Sequence, residues 1–189
     1  MGANTIRIYA INNDTFYNAF YEYNKDNPNP LYLLHGVWVN DYLYHSARDA
    51  FDPELLETFI FDCKMMIDVI HGNRKIQLGR LASAGHGTYN KDISEWVIGY
   101  ILGVEWEDVT VVYTNEKFKN NDKYNSYYGK YMYSTADASP FEAMLARVGD
   151  EIIEYESKRY KTQKLVAFSN WPITDPFEYP DYMVDFFNK

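Results

Sequence analysis

Ten residues, Val97-Ile-Gly-Tyr-Ile-Leu-Gly-Val-Glu-Trp106, constrain the fold of this chain more than any other stretch. The run is apolar almost throughout and is interrupted only by glycines, which is the signature of a parallel strand covered on both faces. Such a strand needs a neighbour on each side and helices to cover it, so the chain must build a layered α/β structure. At its carboxyl end the run delivers a carboxylate, Glu105, and an indole, Trp106. In α/β barrels that end of the sheet is where the chemistry is placed.

The remaining chain alternates in the way this requires. Residues 5–11 read as a short strand rich in β-branched residues, and residues 14–24 as a helix with Asp14 as a plausible N-cap, ended by Asn27-Pro-Asn-Pro30. Residues 31–39 form a second apolar strand. Asp52-Pro-Glu54 opens an amphipathic helix reaching about Ile70, with aspartate as the cap and proline in the first turn. Residues 72–95 read as a long loop with room for a short helix, and residues 107–138 as a polar, Tyr-, Asn- and Lys-rich βα-loop insertion. Ser139-Pro-Phe-Glu142 starts a helix with a capping box that reaches about Tyr160, and residues 165–169 form the last strand. The tail, 173–189, is aromatic and acidic without a clear period.

At 189 residues the chain is expected to form a single domain with a substantial core. Four strands are too few for a closed (β/α)8 barrel, which takes about eight strands and about 250 residues. The expected architecture is α/β, either a small open sheet or a partial TIM barrel.

If the strands are parallel, their carboxyl ends share one face. The residues gathered there are Arg7 and Tyr9, His35 and Trp38, Glu105 and Trp106, and Asn170 and Trp171. A tryptophan near the end of each of three strands suits a shelf for sugar rings. The aromatic content of 18%, with nineteen tyrosines, fits a groove for polyhydroxylated ligands equally well as it fits tyrosine used as core and surface filler. Cleavage of a glycosidic bond needs one carboxylic acid to protonate the leaving oxygen and a second carboxylate as nucleophile or base. Glu105 is the candidate for the first role; its alternative is a plain ion pair with Arg7, which as a strand cation should face a carboxylate. His35 is a candidate either for the site or for a hydrogen-bonded core position. His86, in Gly85-His-Gly87, is expected to point into the cleft or to cap its turn.

Other function classes find little support. A net charge of −9 predicts no general attraction to nucleic acid or to an anionic membrane surface. The four histidines lack metal-ligand spacing, and there is no HExxH motif, cysteine pair, P-loop, GxGxxG or Gly-x-Ser-x-Gly. No metal or cofactor is therefore expected. The lone Cys63, within a helical stretch, reads as a buried thiol. No signal peptide or membrane-length apolar run is visible, so no direct membrane contact is expected of this segment. The location of a parent protein, secreted or membrane-tethered, would leave no trace in it.

Asn4-Thr-Ile-Arg-Ile-Tyr-Ala10, His35-Gly-Val-Trp38, Gly99-Tyr-Ile-Leu-Gly-Val-Glu-Trp106 and Asn170-Trp-Pro-Ile-Thr-Asp-Pro176 together resemble the (β/α)8-barrel catalytic domains of retaining glycoside hydrolases, in particular β-glucanosyltransferase-like and family-2-like members. There the second strand carries an Asn-Thr-Ile-Arg-hydrophobic-Tyr segment, matched by Asn4 to Tyr9. The fourth ends in Gly-Asn-Glu, whose glutamate is the acid/base, and Gly103-Val-Glu105 falls on that motif with Val104 in the asparagine's place. The resemblance implies strands two to five of a barrel and an oligo- or polysaccharide substrate. It implies a nucleophile on the seventh strand, past Lys189, and a barrel completed by further strands of a parent chain. Asn115-Glu116 is a second literal Asn-Glu pair, but it lies within the insertion and not at a strand end.

Three readings follow. The first is part of a glycoside hydrolase or transglycosylase acting on a β-linked glycan, inactive without its nucleophile. The second is a non-catalytic saccharide-binding module on the same scaffold. The third is a stand-alone flavodoxin-like domain, which would need both sheet edges protected. An unpaired parallel edge at residues 5–11 or 165–169 would favour the first.

Overall fold

A computed structural model describes residues 2–39, 49–77, 85–170, 172 and 180–187. Four strands form one parallel sheet: β1 (Thr5–Ile8), β2 (Tyr32–Trp38), β5 (Val97–Trp106) and β6 (Leu165–Asn170), in the spatial order β1-β2-β5-β6. A two-stranded antiparallel hairpin, β3 (Arg74–Ile76) and β4 (Gly87–Tyr89), lies outside it. The helices are α1 (Asp14–Asn24), α2 (Pro53–Ile70), α3 (Asp108–Phe118), α4 (Pro140–Tyr160) and α5 (Asp181–Phe187). No described helix is long and apolar enough to cross a membrane.

Helix ends form where the local chemistry requires them. The Asp52 carboxylate accepts the Glu54 and Leu55 amides and caps α2, while Pro53 removes one amide that needs no partner. Ser139 and Glu142 close a reciprocal capping box at α4. Helix α1 begins after Asn13, and Asp14 accepts the Thr88 amide instead of capping the helix. That bond, with Gly85 N–H to Ile11 O and His86 N–H to the Asn13 side chain, docks the β3–β4 hairpin on the start of α1.

The sheet is wound in one direction, because strands consecutive in the αβ alternation are neighbours in space. Right-handed crossovers then place the covering helices on one face. Side-chain contacts agree: Tyr17 of α1 meets His35, while Phe59 of α2 and Phe141 of α4 both meet Trp106. Leu33, His35 and Val37 of β2 and Tyr100 and Leu102 of β5 are buried toward these helices. Alternation and register place Arg7, Leu34, Gly36, Ile101, Leu165 and Ala167 on the opposite face. Leu165 there is 72% exposed. Among the described residues β1 pairs only with β2 and β6 only with β5, so both outer edges of the sheet are unpaired.

Three expectations need correction. The insertion at 107–138 is not a loop throughout, since α3 follows β5 almost at once. Its Asp-Val-Thr-Val-Val-Tyr-Thr start is rich in β-branched residues, which are poor helix formers, and the helix is held by tertiary contacts instead. Thr114 accepts the Ala50 amide, Lys117 pairs with Asp49 at 2.6 Å, and Asn115 accepts the Phe141 amide at the start of α4. The loop expected at 72–95 contains the β3–β4 hairpin and a 3-10 turn at Ser94–Trp96, with strands too short to show alternation. The first strand ends at Ile8, short of residue 11.

Candidate active site at the carboxyl end of the central strand

Two residues of β5 have left-handed backbones, Gly103 with φ 73° and Glu105 with φ 56°. They account for the register. Between Leu102, opposite Phe168, and Trp106, opposite Asn170, β5 spends four steps where β6 spends two. Toward β2 the shift is one residue, since Val37 faces Leu102 and Trp38 faces Val104. The strand therefore ends in bulges.

The bulge also reverses the facing pattern. Val104 lies against Gly36 on the face away from the helices, where a β-carbon on Gly36 would come within 2.9 Å of the valine side chain. Trp106, two positions on, is buried on the helix face with its ring edge-on to Phe59 and Phe141, centroids 5.1 Å from each. Regular alternation would keep residues two apart on one side, and the left-handed Glu105 is where the reversal is absorbed. Glu105 is half-buried, and a non-glycine residue in this conformation costs on the order of 1 kcal/mol.

The predicted site residues separate into two groups. Arg7 is exposed on the open face and stacks on the half-exposed Tyr9 ring, its guanidinium carbon 4.8 Å from the centroid. Among the described residues it forms no ion pair with Glu105, so the expected Arg7–Glu105 bridge is absent there. Trp38 ends β2 half-buried, opposite Val104. The Asn170 backbone pairs with Trp106, and Trp171 lies outside the described residues.

His35 and Trp106 belong instead to the core. His35 is fully buried; its Nδ1 lies 2.9 Å from the Gly36 carbonyl and its Nε2 lies 2.7 Å from the Tyr17 hydroxyl. A carbonyl can only accept, so Nδ1 carries the proton and Nε2 accepts from Tyr17. Burial holds the imidazole neutral and lowers its pKa to about 4. Trp106 is 1% exposed, which removes its face from any ligand. Of the three tryptophans expected as a sugar shelf, this one packs the helix layer. His86 is exposed, and its backbone rather than its ring supports the turn.

Two further carboxylates follow Glu105 closely in the chain. Glu107 precedes α3 and Asp108 begins it, both half-buried, with Asp108 accepting the Val109 amide. Their position at a helix start is favourable for negative charge without any catalytic role. A strand-end acid followed by acids at i+2 and i+3 was the available signal. Among the described residues no three His, Cys, Asp or Glu side chains gather as metal ligands. Comparison of the chain with protein-family models, curated proteins and solved structures finds no match.

Proposed function

We propose that this chain forms one arc of a (β/α)8 barrel that cleaves or transfers β-linked glycans, with Glu105 as the general acid/base. The observation that carries this reading is the backbone of Glu105: an acidic residue held left-handed at the carboxyl end of a central parallel strand. Glycine or asparagine would relieve that strain, and strain of this kind concentrates where function requires a side chain. The single winding direction, the helices on one face and the two edges left unpaired among the described residues suit an arc of a larger barrel.

In this scheme Glu105 protonates the glycosidic oxygen as the bond to the leaving sugar breaks. It then removes a proton from the incoming water or acceptor hydroxyl. The nucleophile comes from a strand beyond the two open edges. Arg7, Tyr9 and Trp38 line the open face toward the sugar.

A second reading, a saccharide-binding module without chemistry, is favoured by Val104 at the position of the family's asparagine and by the loss of His35 and Trp106 to the core. Assay of the full-length gene product on β-glucan oligosaccharides separates the two. Glu105→Gln is expected to lower turnover by about 10²–10⁴-fold, the usual contribution of a general acid. It should spare the first step on substrates with highly activated leaving groups. Undiminished turnover in Glu105→Gln removes Glu105 from the mechanism, and sugar binding without turnover in the wild type selects the binding module.

A further inference from the structure

A cavity of about 270 Å³ lies between the start of α2 and the first turns of α4, and Glu105 is not among its described lining residues. Its wall is aromatic, built by Phe51, Tyr124 and Tyr127, and among the described lining residues the charged ones are Lys123 and Arg147. In a chain of net charge −9, both charged groups among the described lining residues are cations, one of them, Arg147, with Glu151 beside it.

The polar groups there are incompletely used. Lys123 stands over the Tyr124 ring, 5.3 Å from its centroid, instead of pairing with a carboxylate among the described residues. Arg147 gives Nε to Glu151 at 3.4 Å, which leaves its two terminal nitrogens without a partner among the described residues. The Ser126 hydroxyl likewise has no partner there. The aromatic wall, by contrast, is fixed. Phe51 packs edge-on to Tyr124 at 4.7 Å, and the Tyr127 hydroxyl donates to Asp150 at 3.1 Å.

The geometry points to a binding site for a single sugar ring bearing an anionic group, a carboxylate or a phosphate. The volume suits one ring and its substituent and is too small for an extended chain. The aromatic wall takes the C–H face of the ring. The ammonium, guanidinium and serine hydroxyl take the anion, with Arg147 able to hold two oxygens at once. This site stands independently of the role proposed for Glu105.

Isothermal titration of the folded chain with glucuronate, glucose 6-phosphate, glucose and inorganic phosphate tests it. At least one anionic sugar is expected to bind, and which one does identifies the anion. Glucose and inorganic phosphate should bind at least about tenfold more weakly, and binding should weaken as salt is raised. Lys123→Met combined with Arg147→Met should abolish binding without moving the unfolding midpoint. Ser126→Ala, a smaller change, should weaken it several-fold and serves if the double variant misfolds. Binding of inorganic phosphate as tight as that of the sugar phosphate would show that the ring wall has no part, and would overturn the proposal. So would unchanged affinity in these variants, or no binding of either anionic sugar.

Discussion

The Trp106 indole folds back over Gly103, three residues earlier in the same strand. A β-carbon on Gly103 would collide with the indole Nε1 and its neighbouring ring carbons. One glycine thus lets β5 turn left-handed at φ 73° and gives the fully buried Trp106 side chain its place between α2 and α4.

Gly103→Ala therefore meets two penalties, a left-handed alanine and an overpacked indole. The sum is about 3 kcal/mol of lost stability. Trp106→Ala leaves a cavity under Phe59 and Phe141 and is expected to cost about 3–5 kcal/mol. Urea denaturation of both variants checks these values. A Gly103→Ala protein as stable as the wild type would show that the ring is free to move aside.

Glu105 carries strain that glycine would not. Glu105→Gly is expected to leave stability unchanged or to raise it by up to about 1 kcal/mol, while Glu105→Gln keeps the wild-type stability. A gain in stability on removing this side chain would show that the wild-type backbone here is strained. Calorimetry reads the first effect, and a clear fall in the unfolding midpoint of Glu105→Gly would mean that its carboxylate holds the fold.

His35 ties stability to acid. Its pKa is lowered from 6.5 to about 4 by burial, so between those values the unfolded chain binds a proton that the folded protein does not. Stability is fully present above pH 6.5 and is lost as pH falls toward 4, by up to about 3 kcal/mol. Because Asp62 acts in the opposite direction over the same range, the comparison is between variants: on going from neutral pH to near pH 4.5, His35→Leu should lose less stability than the wild type, by up to about 3 kcal/mol. That variant also leaves the Tyr17 hydroxyl without its acceptor, so it starts from a lower stability at neutral pH.

Asp62 acts in the opposite sense. Its carboxyl is buried in α2 with Oδ1 unpartnered among the described residues, and burial raises its pKa from 3.8 to about 6. The folded protein holds this proton longer than the unfolded chain, so stability falls as pH rises from 3.8 toward 6 and stays lower above it. Asp62→Asn should gain about 2 kcal/mol at neutral pH and almost nothing near pH 4. An equal effect at both pH values would point to packing and not to charge.

Tertiary partners also explain a cluster that no motif announced. Glu156, 1% exposed in α4, accepts from the Tyr100 hydroxyl at 2.6 Å and lies 3.0 Å from His71 Nε2. His71 in turn stacks on Tyr160 with ring centroids 3.8 Å apart. The four residues are spread from position 71 to position 160, and no spacing in the sequence joins them. Their joining ties the end of α2 to the sheet and to α4.

The sequence alone determined the strand–helix alternation, the start of α2 at Asp52, the capping box at Ser139 and Glu142, the burial of Cys63 and the placement of Glu105 at a strand end. These are local matters, in which a side chain bonds the backbone two or three residues away or a run of apolar residues finds no water. What only the tertiary structure decided was which way those strands face. A strand apolar on both sides has no polar alternation to mark its inside, so nothing in Leu34-His-Gly-Val-Trp38 tells that His35 meets Tyr17 while Trp38 does not join that helix-facing set. At β5 the bulge changes the parity between Val104 and Trp106, and the period of two that locates every other residue fails there. Trp106 is carried into the helix layer as a result, and Glu105 is left at the turn between the two faces.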